Sequence, residues 1–220
     1  MMAELAQFLD GLRRDLPGNL AEFHRRTVDA GLPVISRDVA DFLSLLLTLR
    51  RPQNVLEIGC GVGFSAALFA EFTTESSKIT TIDRYEFMTS RAKSNFEKLG
   101  LSAKIRLIED DAANALPALV KTDAKFDFIF MDCGKGQYLR FWPHISRLLG
   151  AGGLFCADDI FQGGNIARAA ADVPRRHRTT HRNLREFLHM VMADKALKSV
   201  ILPIGDGLLV SLKEDTIGQD

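Results

Sequence analysis

Three acidic residues follow apolar runs in the second half of the sequence, and together they could hold a metal ion. Asp132 follows the run FDFIFM, and the pair Asp158-Asp159 follows GGLFCA. If these runs are neighbouring parallel strands, their ends bring the three carboxylates together, where each raises the pKa of the others. A hard divalent cation would offset that repulsion, and oxygen ligands suit Mg²⁺, Mn²⁺ or Ca²⁺. The alternative is that these acids cap helices or lie in solvated loops.

A glycine-rich turn and a later aspartate indicate a nucleoside site. Gly59, Gly61 and Gly63 form a GxGxG turn, and glycines there let the backbone approach a ligand closely. Asp83 ends the second predicted strand, where an acid can accept hydrogen bonds from both hydroxyls of a ribose. Glu57 precedes the turn, and its carboxylate suits a cationic ligand but would repel a diphosphate. The alternative is a tight turn that serves packing alone.

The segments that must place these residues alternate between strands and helices. Short apolar runs are predicted as strands at residues 54–59, 78–83, 104–110, 126–132 and 152–159. Helical segments follow them, as at 64–72 and 86–99. Because several of the strands are apolar on both faces, they predict a parallel sheet covered on two sides. Ligands of such sheets bind beyond the carboxyl ends of the strands, where the acids and the glycine turn lie.

The two ends of the chain differ from this alternating core. Residues 3–30 predict two amphipathic helices broken around Pro17-Gly18, and Ser36 is the predicted N-cap of a third helix. Residues 200–204 and 208–212 flank a Gly-Asp-Gly turn, which predicts an antiparallel hairpin. We expect one domain over residues 1–220, with N-terminal helices in 1–50 and an α/β core in 54–213. The predicted fold is a doubly wound, Rossmann-like α/β sheet, mostly parallel, with an antiparallel C-terminal hairpin and an N-terminal helical cap.

The composition is typical of a globular domain in water. The 220 residues include 28 Lys plus Arg and 28 Asp plus Glu, so the formal net charge is 0, which excludes disorder driven by charge. No apolar run reaches the roughly 18 residues that a membrane span requires, and the N-terminus lacks the pattern of a signal peptide. The 3 cysteines are too few for a disulfide framework and predict reduced thiols, so we expect a cytoplasmic protein.

The glycine turn, with the acid behind it, resembles the cofactor-binding motifs of class I S-adenosylmethionine-dependent methyltransferases. The matching segments are VLEIGCGVGFSA and TTID. The resemblance implies that the turn binds the methionine part of S-adenosylmethionine, that Asp83 holds the ribose and that Asp111-Ala112 lies near the adenine. The implied cofactor-binding residues are Glu57, Gly59, Gly61, Gly63, Ser65, Asp83, Asp111, Ala112 and Asp132. The family usually has glycine at the position of Asp110, so the chain departs from the pattern there.

The acids after the fourth and fifth predicted strands narrow the resemblance to the metal-dependent O-methyltransferases, the group of catechol and caffeoyl-coenzyme A O-methyltransferases. In that group an Asp and an Asp-Asn pair hold the metal, which implies Asp132, Asp158 and Asp159 here, with Mg²⁺ as the favoured ion. Lys135, three residues past Asp132, has the place of the family's catalytic lysine, and the two residues are the implied catalytic pair. A surface lysine that pairs with an acid is the alternative. Asp159 departs from the usual Asn and adds a negative charge; the resemblance covers roughly residues 33–213.

The resemblance implies an acceptor with two adjacent oxygens, either 5-hydroxyuridine in tRNA, which we favour here, or a small catechol-type phenol. The segments DCGKGQY and PIGDG resemble bacterial methyltransferases that modify the tRNA anticodon loop, although Cys133-Gly134 departs from their pattern. Residues 174–185 hold five arginines and no acid, which is typical of a phosphate-binding surface or of a solvated helix face. The residues expected to contact the substrate are Tyr138, Arg175, Arg176 and Arg178.

Two further expectations concern partners and a rival class of function. The N-terminal helices are expected to cap the site or to form a homodimer. A binding protein that keeps the fold without chemistry is the rival function. The set of Asp132, Lys135, Asp158 and Asp159 argues against that rival, because a binding protein has no need of it.

Overall fold

The N-terminal part of the chain is helical in the computed structural model, which describes residues 2–214. Residue 1 and residues 215–220, which belong to the predicted domain 1–220, lie outside the described residues. The helices are α1 (Met2–Leu12), α2 (Leu20–Asp29) and α3 (Arg37–Arg50). The Oγ of Ser36 accepts a hydrogen bond from the N–H of Val39 at 3.3 Å, so Ser36 caps α3 as predicted.

Residues 54–213 form a mixed sheet with helices on both faces. The strands are β1 (Asn54–Ile58), β2 (Lys78–Asp83), β3 (Ile105–Glu109), β4 (Phe126–Met131), β5 (Leu149–Ala157), β6 (Leu197–Leu202) and β7 (Leu208–Lys213). The helices are α4 (Phe64–Glu71), α5 (Glu86–Lys98), α6 (Ala112–Lys121), α7 (Tyr138–Leu148) and α8 (Arg178–Ala193). Within the described part of the chain, the order across the sheet is β3-β2-β1-β4-β5-β7-β6. The first five are parallel neighbours and β7 pairs antiparallel with both β5 and β6, which confirms the predicted fold class.

The central strands are apolar on both faces because each face packs against its own layer of helices. On one face, Val55 and Phe128 pack with side chains of α2, α3 and α4. On the other face, Leu56 and Ile129 pack with side chains of α6, α7 and α8. Successive residues of a strand point to opposite faces, so an unbroken apolar run serves both layers. No helix within residues 2–214 has the length and apolar character needed to cross a membrane.

The predicted boundaries of the C-terminal hairpin are wrong by up to three residues. β6 begins at Leu197 rather than Val200, and it ends at Leu202 rather than Ile204. Lys198 and Ser199 are polar, but an edge strand accepts them: Lys198 faces solvent, and the hydroxyl of Ser199 lies 2.8 Å from that of Ser211 on β7. The strand ends before Pro203 because proline has no N–H to donate to the ladder.

The tip of this hairpin holds the loop that follows β5. The carbonyl oxygens of Gly207 and Asp206 accept hydrogen bonds from the N–H groups of Ile160 at 3.1 Å and Phe161 at 2.8 Å. The Asp206 carboxylate also accepts the N–H of Gly163 at 2.8 Å. Gly207 has a φ of +88°, and an added Cβ would lie 2.5 Å from the Phe161 ring. The hairpin therefore fixes the segment directly after β5.

The turn after β1 approaches the end of β4 too closely for any side chain. Gly59 has a φ of +99°, and an added Cβ would lie 2.0 Å from the carbonyl oxygen of Asp132. The N–H of Gly59 donates to the carbonyl of Ile82 at 2.9 Å, and the N–H of Asp132 donates to Ile58 at 2.9 Å. Glycine is required here for its conformation and for its lack of a side chain.

We predict that Gly59→Ala lowers the free energy of unfolding by roughly 3 kcal/mol or more, because strain at a positive φ adds to a backbone collision. Urea denaturation followed by circular dichroism measures the change. Gly11→Ala is the matched control, since a Cβ there meets nothing within 4 Å and alanine favours a helix. A Gly59→Ala protein that unfolds within about 1 kcal/mol of the parent would contradict the close packing described.

Candidate active site

A cavity of about 600 Å³ opens at the carboxyl ends of the parallel strands. Its walls come from the turn after β1, the ends of β2, β3, β4 and β5, and the segment from Pro33 to Ser36 that precedes α3. β1 and β4 are neighbours at the centre of the sheet, where the strand order reverses. Open α/β sheets bind their ligands at such a reversal. The predicted site residues that line it are Gly59, Gly61, Ser65, Asp83, Asp111, Ala112, Asp132, Asp158 and Asp159.

Backbone hydrogen bonds hold Asp83 at the edge of this cavity. Its Oδ2 accepts the N–H of Gly61 at 2.9 Å, and its Oδ1 accepts the N–H of Tyr85 at 3.0 Å. These bonds fix the orientation of the carboxylate, which remains half-buried. Carboxylate oxygens have further lone pairs, so the group can still accept from two vicinal hydroxyls.

Asp111 and Arg84 form the outer end of the cavity. The Oδ1 of Asp111 accepts the N–H of Ala113 at 2.8 Å and so caps α6. Its Oδ2 lies 2.5 Å from Nη1 of Arg84. The hydrogen bond from Ala113, with the neighbouring guanidinium, lowers the pKa of Asp111 below its ordinary value. This corner therefore presents an ionised carboxylate.

Glu57 and Gly63 lie behind the turn rather than among the described residues that line the cavity. Glu57 is fully buried, its Oε2 accepts a hydrogen bond from the Thr81 hydroxyl, and its Oε1 has no partner within residues 2–214. Burial raises the pKa of Glu57 to about 8. Gly63 faces the core, where an added Cβ would lie 2.6 Å from the Phe96 ring. In this structure both residues shape the turn, and the cofactor contact that the resemblance implies for them stays a prediction.

The acids after β4 and β5 converge on one lysine. Nζ of Lys135 lies 2.7 Å from Oδ1 of Asp132 and 3.3 Å from Oδ2 of Asp159. The third acid, Asp158, is 2% exposed, and its Oδ1 accepts the N–H of Asp159 at 2.8 Å. Burial, with the charges of Asp132 and Asp159, raises the pKa of Asp158 to about 7. Three carboxylates therefore share a single compensating ammonium group.

This donor set fits a hard cation in its chemistry. Oxygen ligands with an excess of negative charge suit a divalent ion such as Mg²⁺. The ammonium of Lys135, however, contacts both Asp132 and Asp159. Within the described residues, no group of three acidic, histidine or cysteine side chains has an arrangement ready to hold a metal. A bound ion would therefore require these side chains to rearrange around it.

Comparison with known proteins identifies the family of this chain. A family model described as O-methyltransferase matches residues 14–214. The chain belongs to the O-methyltransferase family. The class of enzyme expected from the sequence, an S-adenosylmethionine-dependent O-methyltransferase, is thereby confirmed.

The similarity to relatives extends over most of the methyltransferase. Caffeoyl-CoA O-methyltransferase 2 of Populus trichocarpa is 31% identical over 180 residues, which cover 79% of this chain and 72% of the relative. Catechol O-methyltransferase of Niastella koreensis is 28% identical over 79% of this chain and 78% of its own. A Podospora anserina methyltransferase with bound SAH superposes with a TM-score of 0.83 at 25% identity, covering 97% of this chain and 95% of the other. The fold of the methyltransferase is thus that of solved relatives along nearly its whole length.

Tyr138 of the methyltransferase is buried, so this structure leaves its side chain no surface for the substrate contact expected of it. The residue is 0% exposed, and its ring packs edge-on against Phe187 with centroids 5.5 Å apart. Its hydroxyl lies 3.1 Å from the carbonyl oxygen of Met131 and 3.0 Å from that of Asp158. It also accepts a hydrogen bond from Nζ of Lys135 at 3.1 Å. Tyr138 therefore positions the lysine.

The structure places the three expected substrate arginines outside the described lining of the cavity. Arg175, Arg176 and Arg178 are exposed at the start of α8. Arg178 donates from Nε to the carbonyl of Val173 and from Nη2 to that of Ala171, both at 3.0 Å, and so ties down its own loop. Arg175 and Arg176 remain available to a large ligand that extends beyond the cavity.

The sequence reasoning missed several residues that do line the cavity. Gln137, Arg140 and Phe141 face it from the helical segment after Lys135, and residues 33–36 cover it from the N-terminal side. A pattern search could have found Arg140, which lies five residues past Lys135 on the same helical segment. Residues 33–36 carry no chemical signature, because only the packing of α2 and α3 brings them there.

We predict that the stability of the ligand-free protein falls relative to Glu57→Gln as the pH rises from about 4.5 to 8. A carboxyl with a pKa near 8 when folded and 4.5 ordinarily binds its proton more tightly in the folded state, so the stability it contributes is present below pH 4.5 and lost towards pH 8. The difference in unfolding free energy should change by up to about 1.4 kcal/mol per pH unit. Urea denaturation at several pH values measures it.

Glu109→Gln is the control for this pH series, because contacts with Lys93 and Thr89 lower the pKa of Glu109. The difference in unfolding free energy between the parent and Glu109→Gln should not fall as the pH rises above 5. A flat difference between the parent and Glu57→Gln would show that Glu57 is not held neutral.

Proposed function

We propose that this protein transfers the methyl group of S-adenosylmethionine to one of two adjacent oxygens on its acceptor, with the help of a divalent cation. The observation that carries the proposal is that Asp132, Asp158 and Asp159 line the same cavity as Asp83, while the ammonium of Lys135 contacts Asp132 and Asp159. A binding protein would have no need of a largely buried ammonium group held between two half-buried carboxylates and beside the buried Asp158, because burying charge costs free energy.

The cavity offers the parts that S-adenosylmethionine requires. Asp83 can accept from both ribose hydroxyls, since its contacts to Gly61 and Tyr85 already aim it at the rim. Asp111 and Ala112 lie where the adenine would extend along β3. Gly59 and Gly61 allow the methionine part to pass close to the backbone. The acids at the rim favour a ligand that carries a positive sulfonium.

Asp132, Asp158 and Asp159 would hold the metal. When bound, the ion lowers the pKa of an acceptor hydroxyl and holds two adjacent oxygens of the acceptor in one orientation. Asp159 has one more negative charge than the Asn that the related enzymes use at this place. The excess of carboxylates over lysine supports a divalent ion here rather than a neutral site.

Lys135 would stabilise the oxygen anion of the acceptor. Its ammonium is held by Asp132, Asp159 and the hydroxyl of Tyr138, and it is largely shielded from water. Burial acts to lower the pKa of Lys135, but Tyr138 and the two acids outweigh it and hold the pKa above its ordinary value. A permanent positive charge suits anion stabilisation. The remaining requirement is alignment of oxygen, methyl carbon and sulfur, which a rigid cavity provides.

A small catechol-type phenol, or an ester that carries one, is the acceptor that the relatives favour. The relatives include a catechol O-methyltransferase and caffeoyl-CoA O-methyltransferases. The 5-hydroxyuridine of tRNA is the second candidate, and the exposed Arg175 and Arg176 favour it because they could follow a phosphate backbone. A homodimer stays a proposal; exposed apolar side chains on α1 and α3, among them Phe8, Leu12, Leu45 and Leu49, support it.

We predict that Lys135→Ala reduces turnover by at least about tenfold, because the oxygen anion loses its positive partner. Binding of S-adenosylmethionine, measured by calorimetry, should stay within about threefold of the parent, since Lys135 does not line the described cavity. Lys125→Ala is the control, because that lysine is exposed and its ammonium donates to the carbonyl of Arg147, away from the described lining of the cavity. Unchanged turnover in Lys135→Ala would contradict the proposed role.

We also predict that EDTA abolishes methyl transfer and that Mg²⁺ restores it. Labelled S-adenosylmethionine is incubated with either catechol or tRNA, and the labelled product identifies the acceptor. Asp159→Asn should keep metal-dependent activity because an amide oxygen can still bind the ion, whereas Asp159→Ala should need more Mg²⁺. Transfer that continues in EDTA would refute the role of the metal, and transfer to neither acceptor would refute the proposed substrates.

A further inference from the structure

A second cavity of about 520 Å³ lies outside the site described above. One wall is the loop Ala167–Ala170, and the other is the exposed side of the first turns of α8. The charged side chains among its described lining are Arg168, Arg182 and Arg185. The proposed methyl transfer makes no use of any of them.

His181 at the base of this cavity has an unused polar atom. The residue is 2% exposed, and its Nε2 has no hydrogen-bond partner within residues 2–214. Leaving a buried polar group unpaired costs about 1–3 kcal/mol. His181 lines the cavity, and a ligand bound there can supply the missing partner, which nearly all buried polar groups of folded proteins have.

The arginines around His181 are largely free to bind an anion. The guanidinium groups of Arg168 and Arg182 make no hydrogen bond or ion pair with the described residues, and Arg185 uses Nη1 on the carbonyl of Ile166 at 2.8 Å. Residues 165–185 contain six arginines and one acid, Asp172. Each guanidinium can offer two parallel N–H groups to a phosphate, a geometry that lysine lacks.

The cavity is joined to the catalytic segment through α8. Asn183 donates from Nδ2 to the carbonyl of Gly136 at 3.3 Å, directly after Lys135. A Cβ added to Gly136 would lie 3.4 Å from Oγ1 of Thr180, the residue before His181. The opposite wall of the cavity, Ala167–Ala170, belongs to the segment that follows β5 and Asp159. An acceptor in the active site could therefore extend a charged group towards these arginines.

The geometry points to this cavity as a binding site for a phosphate group, held by Arg168, Arg182 and Arg185 with a hydrogen bond from His181. The group belongs to the acceptor, and in that respect the inference rests on the proposed function. It goes beyond the proposed function because it defines the acceptor as phosphorylated and assigns its recognition to residues away from the site of methyl transfer.

The test measures binding of inorganic phosphate to the full chain by calorimetry, in chloride buffers of matched ionic strength and without S-adenosylmethionine or metal. Arg182→Gln should weaken phosphate binding by at least about tenfold, because it removes a charge-assisted pair. His181→Phe keeps a ring in the core but removes Nε2, and it should weaken binding by at least about threefold. Arg106→Gln is the matched control, since Arg106 is exposed on β3 at the opposite edge of the sheet and should leave binding unchanged.

Competition separates the two sources of phosphate. Uridine 5′-monophosphate that displaces phosphate while tRNA does not indicates a small phosphorylated acceptor, whereas displacement by tRNA, with affinity that falls steeply with salt, indicates an RNA backbone. Either result supports the site if Arg182→Gln abolishes the displacement. The inference is overturned if the parent shows no binding at millimolar phosphate, or if Arg182→Gln and His181→Phe both bind as the parent does.

This outcome is independent of the proposed function. If catechol is methylated and phosphate does not bind, the cavity assignment fails and the methyl transfer stands. If phosphate binds and neither acceptor is methylated, the proposed function fails while the site remains. Arg182→Gln should leave the KM for free catechol unchanged, because catechol carries no phosphate.

Discussion

The close approach of two backbones at the centre of the sheet is the constraint on which the site depends. β1 and β4 end side by side, and the turn after β1 fits against the carbonyl of Asp132 because Gly59 has no side chain. That contact places Asp83 in the same cavity as the acids that follow β4 and β5. A cofactor and an acceptor that bind in this cavity would lie next to each other, because the two halves of the sheet join between β1 and β4.

Electrostatics then determine what the centre can do. Asp132, Asp158 and Asp159 share Lys135, and buried Glu57 lies behind them with a raised pKa. Buried charges of one sign are tolerated only where protons or cations compensate them. The carboxylates of the site thus favour the binding of positive charge at the point where a sulfonium and a metal would bind. The arginines of α8 give the neighbouring surface a positive charge.

The sequence predicts the chemistry of the strand ends better than it predicts the helices that cover them. Asp83, Asp111 and Asp132 could be placed because parallel strands end at one edge, whatever the details of packing. The burial of Tyr138 could not be predicted, because the sequence around an aromatic residue near Lys135 reads the same whether its ring faces a ligand or the core. Its position relative to Phe187 depends on how α8 packs, and no local pattern encodes that.

The hairpin tip that holds the loop after β5 affects the order in which parts of the protein fold. Asp206 and Gly207 hold residues 160–163, which follow Asp158 and Asp159, although they lie more than 40 residues further along the chain. Contacts between such distant parts of a chain close late in folding, because the loop between them must first be ordered. The acids and the lysine therefore reach their final arrangement only after the C-terminal hairpin has docked on the loop, so the centre of the sheet can form before the edge that carries these side chains.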